Sequence, residues 1–139
     1  MTKETHLVPV QIVGLQPYTE AVTVFLKGEG PKVVPIVIGL SEAEALLMAI
    51  QKNKPSHPIA YDLLQNLLDH VQGSMRHLVI HSIREKTFYA YLVIDGRTKP
   101  IILDCRPSDG MVLAKRLDAP IYLTPEVIDQ TGVESEEEK

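Results

Sequence analysis

The heptapeptide Asp104-Cys105-Arg106-Pro107-Ser108-Asp109-Gly110 crowds two carboxylates and one guanidinium into a short segment. It follows the apolar run Ile101-Ile102-Leu103 and precedes another, so it marks a strand-to-helix junction. The first N–H groups of a helix lack intrahelical partners there, and the helix dipole adds partial positive charge. Two readings follow. In one, Ser108 caps the helix, Asp109 complements the dipole and Arg106 pairs with Asp104 or Asp109, each contact stabilising by ~0.5–2 kcal/mol. In the other, Asp104 and Asp109 hold a divalent cation, Mg²⁺ or Mn²⁺, that activates a water, while Arg106 neutralises a transferring phosphoryl group. That second chemistry is hydrolysis of a phosphodiester. Carboxylates at a helix start repel a bare phosphate, so either the cation or Arg106 must mediate its approach.

Two further acids sit in comparable positions. Ser41-Glu42-Ala43-Glu44 fits a capping box, and Glu42 is the counterpart of Asp109 in the first half of the chain. If the halves pack about a pseudo-twofold axis, Glu42 can approach Asp109 and supply a third carboxylate. In His57-Pro58-Ile59-Ala60-Tyr61-Asp62, Asp62 is either a first-turn helix acid or, with Tyr61, the wall of a cleft. The five histidines are scattered. His77 and His81 lie four apart on a strand, roughly 13 Å along it, which is too far for one metal. Cys105 reads as a small hydrophobe, with no histidine in its local sequence. No glycine-rich phosphate loop, nucleophile elbow or dinucleotide fingerprint is present, so no organic cofactor is expected.

The elements that must position these residues fall into two similar halves. Strands are expected at Val8 to Val13, Ala21 to Lys27 and Val33 to Ile38, joined by short turns in an antiparallel meander. Pro35 points to an edge or a strand start. A helix capped by Ser41 follows, then a second over Ile59 to Val71 that stops at Gly73. Strands resume at Met75 to Ile83, Thr87 to Ile94 and Lys99 to Asp104, ahead of a helix from about Ser108 to Leu117. A short strand at Ile121 to Leu123 and a helical turn capped by Thr124-Pro125 end the ordered part. The expected fold is α+β: two related units of three-stranded antiparallel meander plus helix, forming a mainly antiparallel sheet or barrel-like core with helices packed on it. Pro35-Ile36-Val37-Ile38 before Ser41-Glu42 parallels Pro100-Ile101-Ile102-Leu103 before Ser108-Asp109, as an internal duplication would produce.

A chain of 139 residues suits one domain, assigned to 1–133, with an acidic tail at 134–139 expected to be disordered. Net charge is −4, but the tail carries four acids and one base, leaving a body at −1. That balance argues against a nonspecific polyanion binder while permitting a local basic patch. Two phenylalanines, five tyrosines and no tryptophan make the core aliphatic. No apolar run approaches the ~20 residues of a membrane span, and the first residues lack the layout of a secretion signal. A single cysteine forbids an intrachain disulfide, so the expected compartment is the cytoplasm.

Ile38-Gly39-Leu40-Ser41-Glu42-Ala43-Glu44-Ala45, Asp62-Leu63-Leu64 and Asp104-Cys105-Arg106-Pro107-Ser108-Asp109 resemble the bifunctional nuclease domain family over roughly residues 7–130. The Asp-x-Arg-Pro-Ser-Asp string is the specific part. The resemblance implies a small α+β domain, often dimeric, with DNase and RNase activity credited to some members and catalytic residues poorly defined. It does not identify the catalytic residues; the residues themselves make Asp104, Arg106 and Asp109 the first candidates, then Glu42 and Asp62, acting on DNA or RNA, and a homodimer is expected. The chain departs from the family pattern in two places. Gly110-Met111 stand where relatives usually carry alanine and isoleucine, and His57-Pro58-Ile59-Ala60-Tyr61-Asp62 stands for Arg-Pro-x-Thr-His-Asp. If that histidine is a base, or that arginine a phosphate contact, the changes imply weak activity or none. The competing expectations are a binding or regulatory module without catalysis, and a structural dimerisation domain pairing through sheet edges.

Overall fold

The computed structural model describes residues 6–56 and 59–134. The expected disordered tail lies outside the described residues except Glu134, which is in a short strand. Strands β1 (Val8–Pro17), β2 (Ala21–Lys27) and β3 (Lys32–Gly39) form the first meander, and α1 (Leu40–Gln51) follows without a loop. Helix α2 (Ala60–His70) leads to the second meander, β4 (Ser74–Arg84), β5 (Thr87–Asp95) and β6 (Ile101–Cys105), and then to α3 (Pro107–Leu117). Strand β7 (Ile121–Leu123), α4 (Pro125–Thr131) and β8 (Val133–Glu134) complete the described chain. Within each half, neighbours in sequence are neighbours in the sheet, as short connections require.

One sheet runs β6-β5-β4-β7-β1-β2-β3-β8. Strand β7 joins the halves, antiparallel to β1 and parallel to β4; every other pairing is antiparallel. Helix α4 touches both β3 and β4, although three strands separate those two in the sheet. The sheet is therefore strongly curled, and its concave side encloses one aliphatic core. Leu26, Leu46, Leu78, Ile80, Met111 and Leu123 are fully buried there. Helices α1 and α3, the equivalent helices of the two units, pack against each other over that core. Among the described residues the outer edge of β3 beyond Val33 has no strand beside it, since β8 pairs with Lys32 and Val33. Pro35 sits on that edge, where its missing N–H breaks no ladder bond.

Both serine caps proposed from sequence are corrected. Pairing of β3 with β2 continues to Gly39, opposite Ala21, so the helix starts immediately and Gly39 is the extended N-cap. Ser41 is one position inside the exposed first turn. In the second unit Arg106 is the N-cap and Pro107, with its φ already helical, takes the first helical position. Ser108 is then inside the helix and buried. Thr124 does cap α4, its hydroxyl accepting from the Val127 N–H at 3.4 Å. No helix among the described residues is long and apolar enough to cross a membrane.

Candidate active site

Because both helices begin at the ends of their strands and pack side by side, their first turns meet. Arg106 lies between them. Its Nε and Nη2 donate to Asp109 Oδ2 and Oδ1 at 3.0 and 3.1 Å, a bidentate fork, and its Nη1 lies 3.2 Å from Glu42 Oε2. The third position of each helix thus contributes one carboxylate to a shared guanidinium. Gly39 makes room for this, since a Cβ there would collide with Glu42 Oε1. Arg106 is 63% exposed, whereas the Glu42 and Asp109 side chains are 22% and 33% exposed beneath it.

From the other side, the Tyr61 hydroxyl donates to Asp109 Oδ1 at 2.7 Å. Burial, then the bond to Asp109, then the charges of Asp109 and Glu42 push the Tyr61 phenol well above its usual range. Burial alone would raise Asp109, but the hydrogen bonds from Arg106 and Tyr61 and the Arg106 charge outweigh it and hold the carboxyl below its usual range. The network continues through Arg116, whose Cζ stands 5.8 Å from the Tyr61 ring centroid. Arg116 Nη1 donates to Asp62 Oδ1 at 3.0 Å and to Gln65 Oε1 at 3.1 Å. Asp62 Oδ2 accepts from the Ile59 N–H at 2.7 Å. That backbone bond, followed by Arg116, lowers the Asp62 pKa.

Of the residues expected from sequence, Glu42, Arg106 and Asp109 are brought together directly. Asp62 is joined to them only through Arg116 and Tyr61. Asp104 is elsewhere. Its strand neighbour Cys105 faces the core, with Sγ 3.2 Å from where a Gly110 Cβ would lie. Alternation along β6 turns Asp104 to the opposite sheet face, where it pairs with Tyr91; burial lowers the His81 pKa there, and the Asp104 charge offsets only part of that. The Tyr91 and His81 rings lie 5.4 Å apart on that face. A hollow of about 570 Å³ opens beside them, larger than the groove at the carboxylates but away from them. Burial, then the charges of Asp109 and Asp104, push the Cys105 thiol up to about 11, so it stays protonated at neutral pH. Arg116 was missed from sequence, although it lies seven residues after Asp109 and hence on the same face of α3.

Residues 24–136 match the family profile described as the bifunctional nuclease domain. The chain belongs to the bifunctional nuclease domain family. The matched segment contains Glu42, Tyr61, Asp62, Arg106, Asp109 and Arg116. Two uncharacterized proteins of Mycobacterium tuberculosis, from strains CDC 1551 and H37Rv, are each 35% identical over 136 residues, covering 93% of this chain and 81% of the relative.

Proposed function

We propose that this chain is a nuclease hydrolysing phosphodiester bonds in DNA or RNA, with Glu42, Arg106 and Asp109 as its working groups. The observation that carries this is one exposed guanidinium held by two recessed carboxylates from two equivalent helix starts. Arg106, although paired with both carboxylates, is exposed enough to exchange them for a phosphate, to which its planar fork is as well matched as to a carboxylate. Departure of Arg106 leaves Glu42 and Asp109 facing one another, an arrangement a cation relieves. Among the described residues no three His, Cys, Asp or Glu gather as a metal-ligand set. Two carboxylates suffice for Mg²⁺ or Mn²⁺ when phosphate oxygens and waters complete the shell. When bound, such a cation would neutralise the phosphoryl charge and activate the attacking water. Tyr61 holds Asp109 in place as a donor; with its raised pKa it does not take a proton from water at neutral pH.

Incubating the protein with DNA and RNA, with Mg²⁺ or Mn²⁺ and then chelator, tests this. Cleavage that stops on chelation and in Glu42→Gln supports it; cleavage indifferent to both refutes it. Absence of cleavage with either metal favours the second reading, a ligand-binding or regulatory module. Tyr61 favours that reading specifically, since it stands where relatives usually carry histidine.

We also propose that the chain works in the cytoplasm as a homodimer. Helix α2 buries no residue fully and exposes Leu63 and Leu67, as does its C-cap Val71, while edge strand β6 exposes Ile101 and Leu103. Leu68 and Ile94 both flank Gly73, and Ile94 pairs with Ile101, so helix and edge strand share one apolar side. A surface of this kind is uncommon on a monomer.

A further inference from the structure

We propose that the substrate of this site is single-stranded nucleic acid, lying in the seam of the curled sheet with about one nucleotide inside it. This rests on the nuclease reading and adds the form of the substrate. The seam is a groove of about 330 Å³ between the free edge of β3 and the β4–β5 turn, with the α1 and α3 starts at its floor. Glu42 and Arg106 line it, and Asp109, bonded to Arg106, stands outside the lining. Lys86 stands on the opposite wall in a two-residue turn, where it and Glu85 both adopt left-handed backbone (φ 70° and 52°). Two cations and one carboxylate among the charged lining residues make the groove attractive to an anion.

The dimensions choose the form. A volume of this size is at the lower end for small-ligand sites, enough for about one nucleotide and its phosphate. To reach the recessed carboxylates, a backbone must enter the groove. A duplex presents its phosphates on a convex cylinder with its bases stacked inside, and entering the seam would require unstacking. A flexible single strand enters without that penalty. Phe88 offers an apolar wall, and β3 beyond Val33 offers backbone groups on an edge that no described strand pairs with. A peptide adding to β3 would also use that edge, but Pro35 removes an N–H from it and the floor is charged.

Fluorescence anisotropy with a labelled oligonucleotide, DNA and RNA, single-stranded and annealed to its complement, tests this in Ca²⁺ and again in chelator. The expected result is a Kd at least tenfold lower for single strands than for the duplex. Lys86→Glu, a turn substitution whose fold is checked by its melting temperature, weakens single-strand binding at least fivefold. Equal affinity for both forms, or an unaffected Lys86→Glu, overturns the proposal. So does no binding in either condition, an outcome that leaves the β3 edge to an extended peptide. Single-strand binding with no cleavage in Mg²⁺ or Mn²⁺ would sink the nuclease reading while keeping this one. Duplex cleaved as fast as single strands would do the reverse.

Discussion

Gly39 and Tyr61 control the two recessed carboxylates from opposite sides. A methyl at Gly39 meets only the far end of a flexible side chain, and the backbone there is ordinary extended. Gly39→Ala should therefore leave the melting temperature nearly unchanged while displacing Glu42 from Arg106. By analogy with groups supporting metal ligands, cation affinity falls ~10–100-fold, measurable by calorimetry with Mn²⁺. Tyr61 has an alkaline signature. Its folded pKa lies above the unfolded value near 10, so its contribution is intact below pH ~10 and lost as pH rises further. Tyr61→Phe should flatten that alkaline loss in urea melts; an unchanged profile would place the tyrosine in a wetter setting than described. Tyr61 and Asp109 are 48 residues apart, a pairing no local pattern announces. Asp104 was different: its position next to an inward-facing Cys105 already implied, by strand alternation, that it points away from α3.

Helix α3 is held close to β4 by a missing side chain. A Cβ on Gly110 would collide with the fully buried Leu78 and press on Cys105. Gly110→Ala is expected to destabilise by ~1–3 kcal/mol, and shortening Leu78 to Val in the same chain should recover part of this in chemical denaturation. Helix α2 is anchored differently: none of its residues is fully buried, Tyr61 and Leu68 pack half-buried against the core, and Asp62 ties it to Arg116 of α3. Double substitution of Leu63 and Leu67 by Glu should keep the helix and shift a dimer to monomer in light scattering; an unchanged mass would remove α2 from the interface. The apolar spacing of α2 was legible in the sequence, but not that Leu63 and Leu67 would stay exposed among the described residues. The cap positions of α1 and α3 were not legible either. Ser41 and Ser108 have the right side chains, yet strand register and Pro107 start each helix earlier.

The two-unit arrangement follows from features the sequence displays openly: three β-rich segments and a helix, twice, with connections too short for anything but meanders. Curling of the sheet was less accessible, because it depends on β7 bridging the halves and on α4 contacting both β3 and β4. That curling brings Glu42 to Asp109 and creates the seam. Stability of the whole should decline in acid. Asp62 and Asp109 both have folded pKa values below the unfolded value near 3.9, so their contributions are present above pH ~4 and disappear as pH falls through the folded values. Urea midpoints from pH 6 down to 2 should show this loss, reduced in Asp109→Asn. The most direct trial compares metal-dependent cleavage of a labelled oligonucleotide by Glu42→Gln, Asp109→Asn and Asp104→Asn, each shown to fold. If the carboxylates around Arg106 do the chemistry, the first two lose activity by ~10²-fold or more, and Asp104→Asn, altered on the far sheet face, cleaves like the parent. Loss of cleavage in Asp104→Asn with full activity in the other two would contradict it.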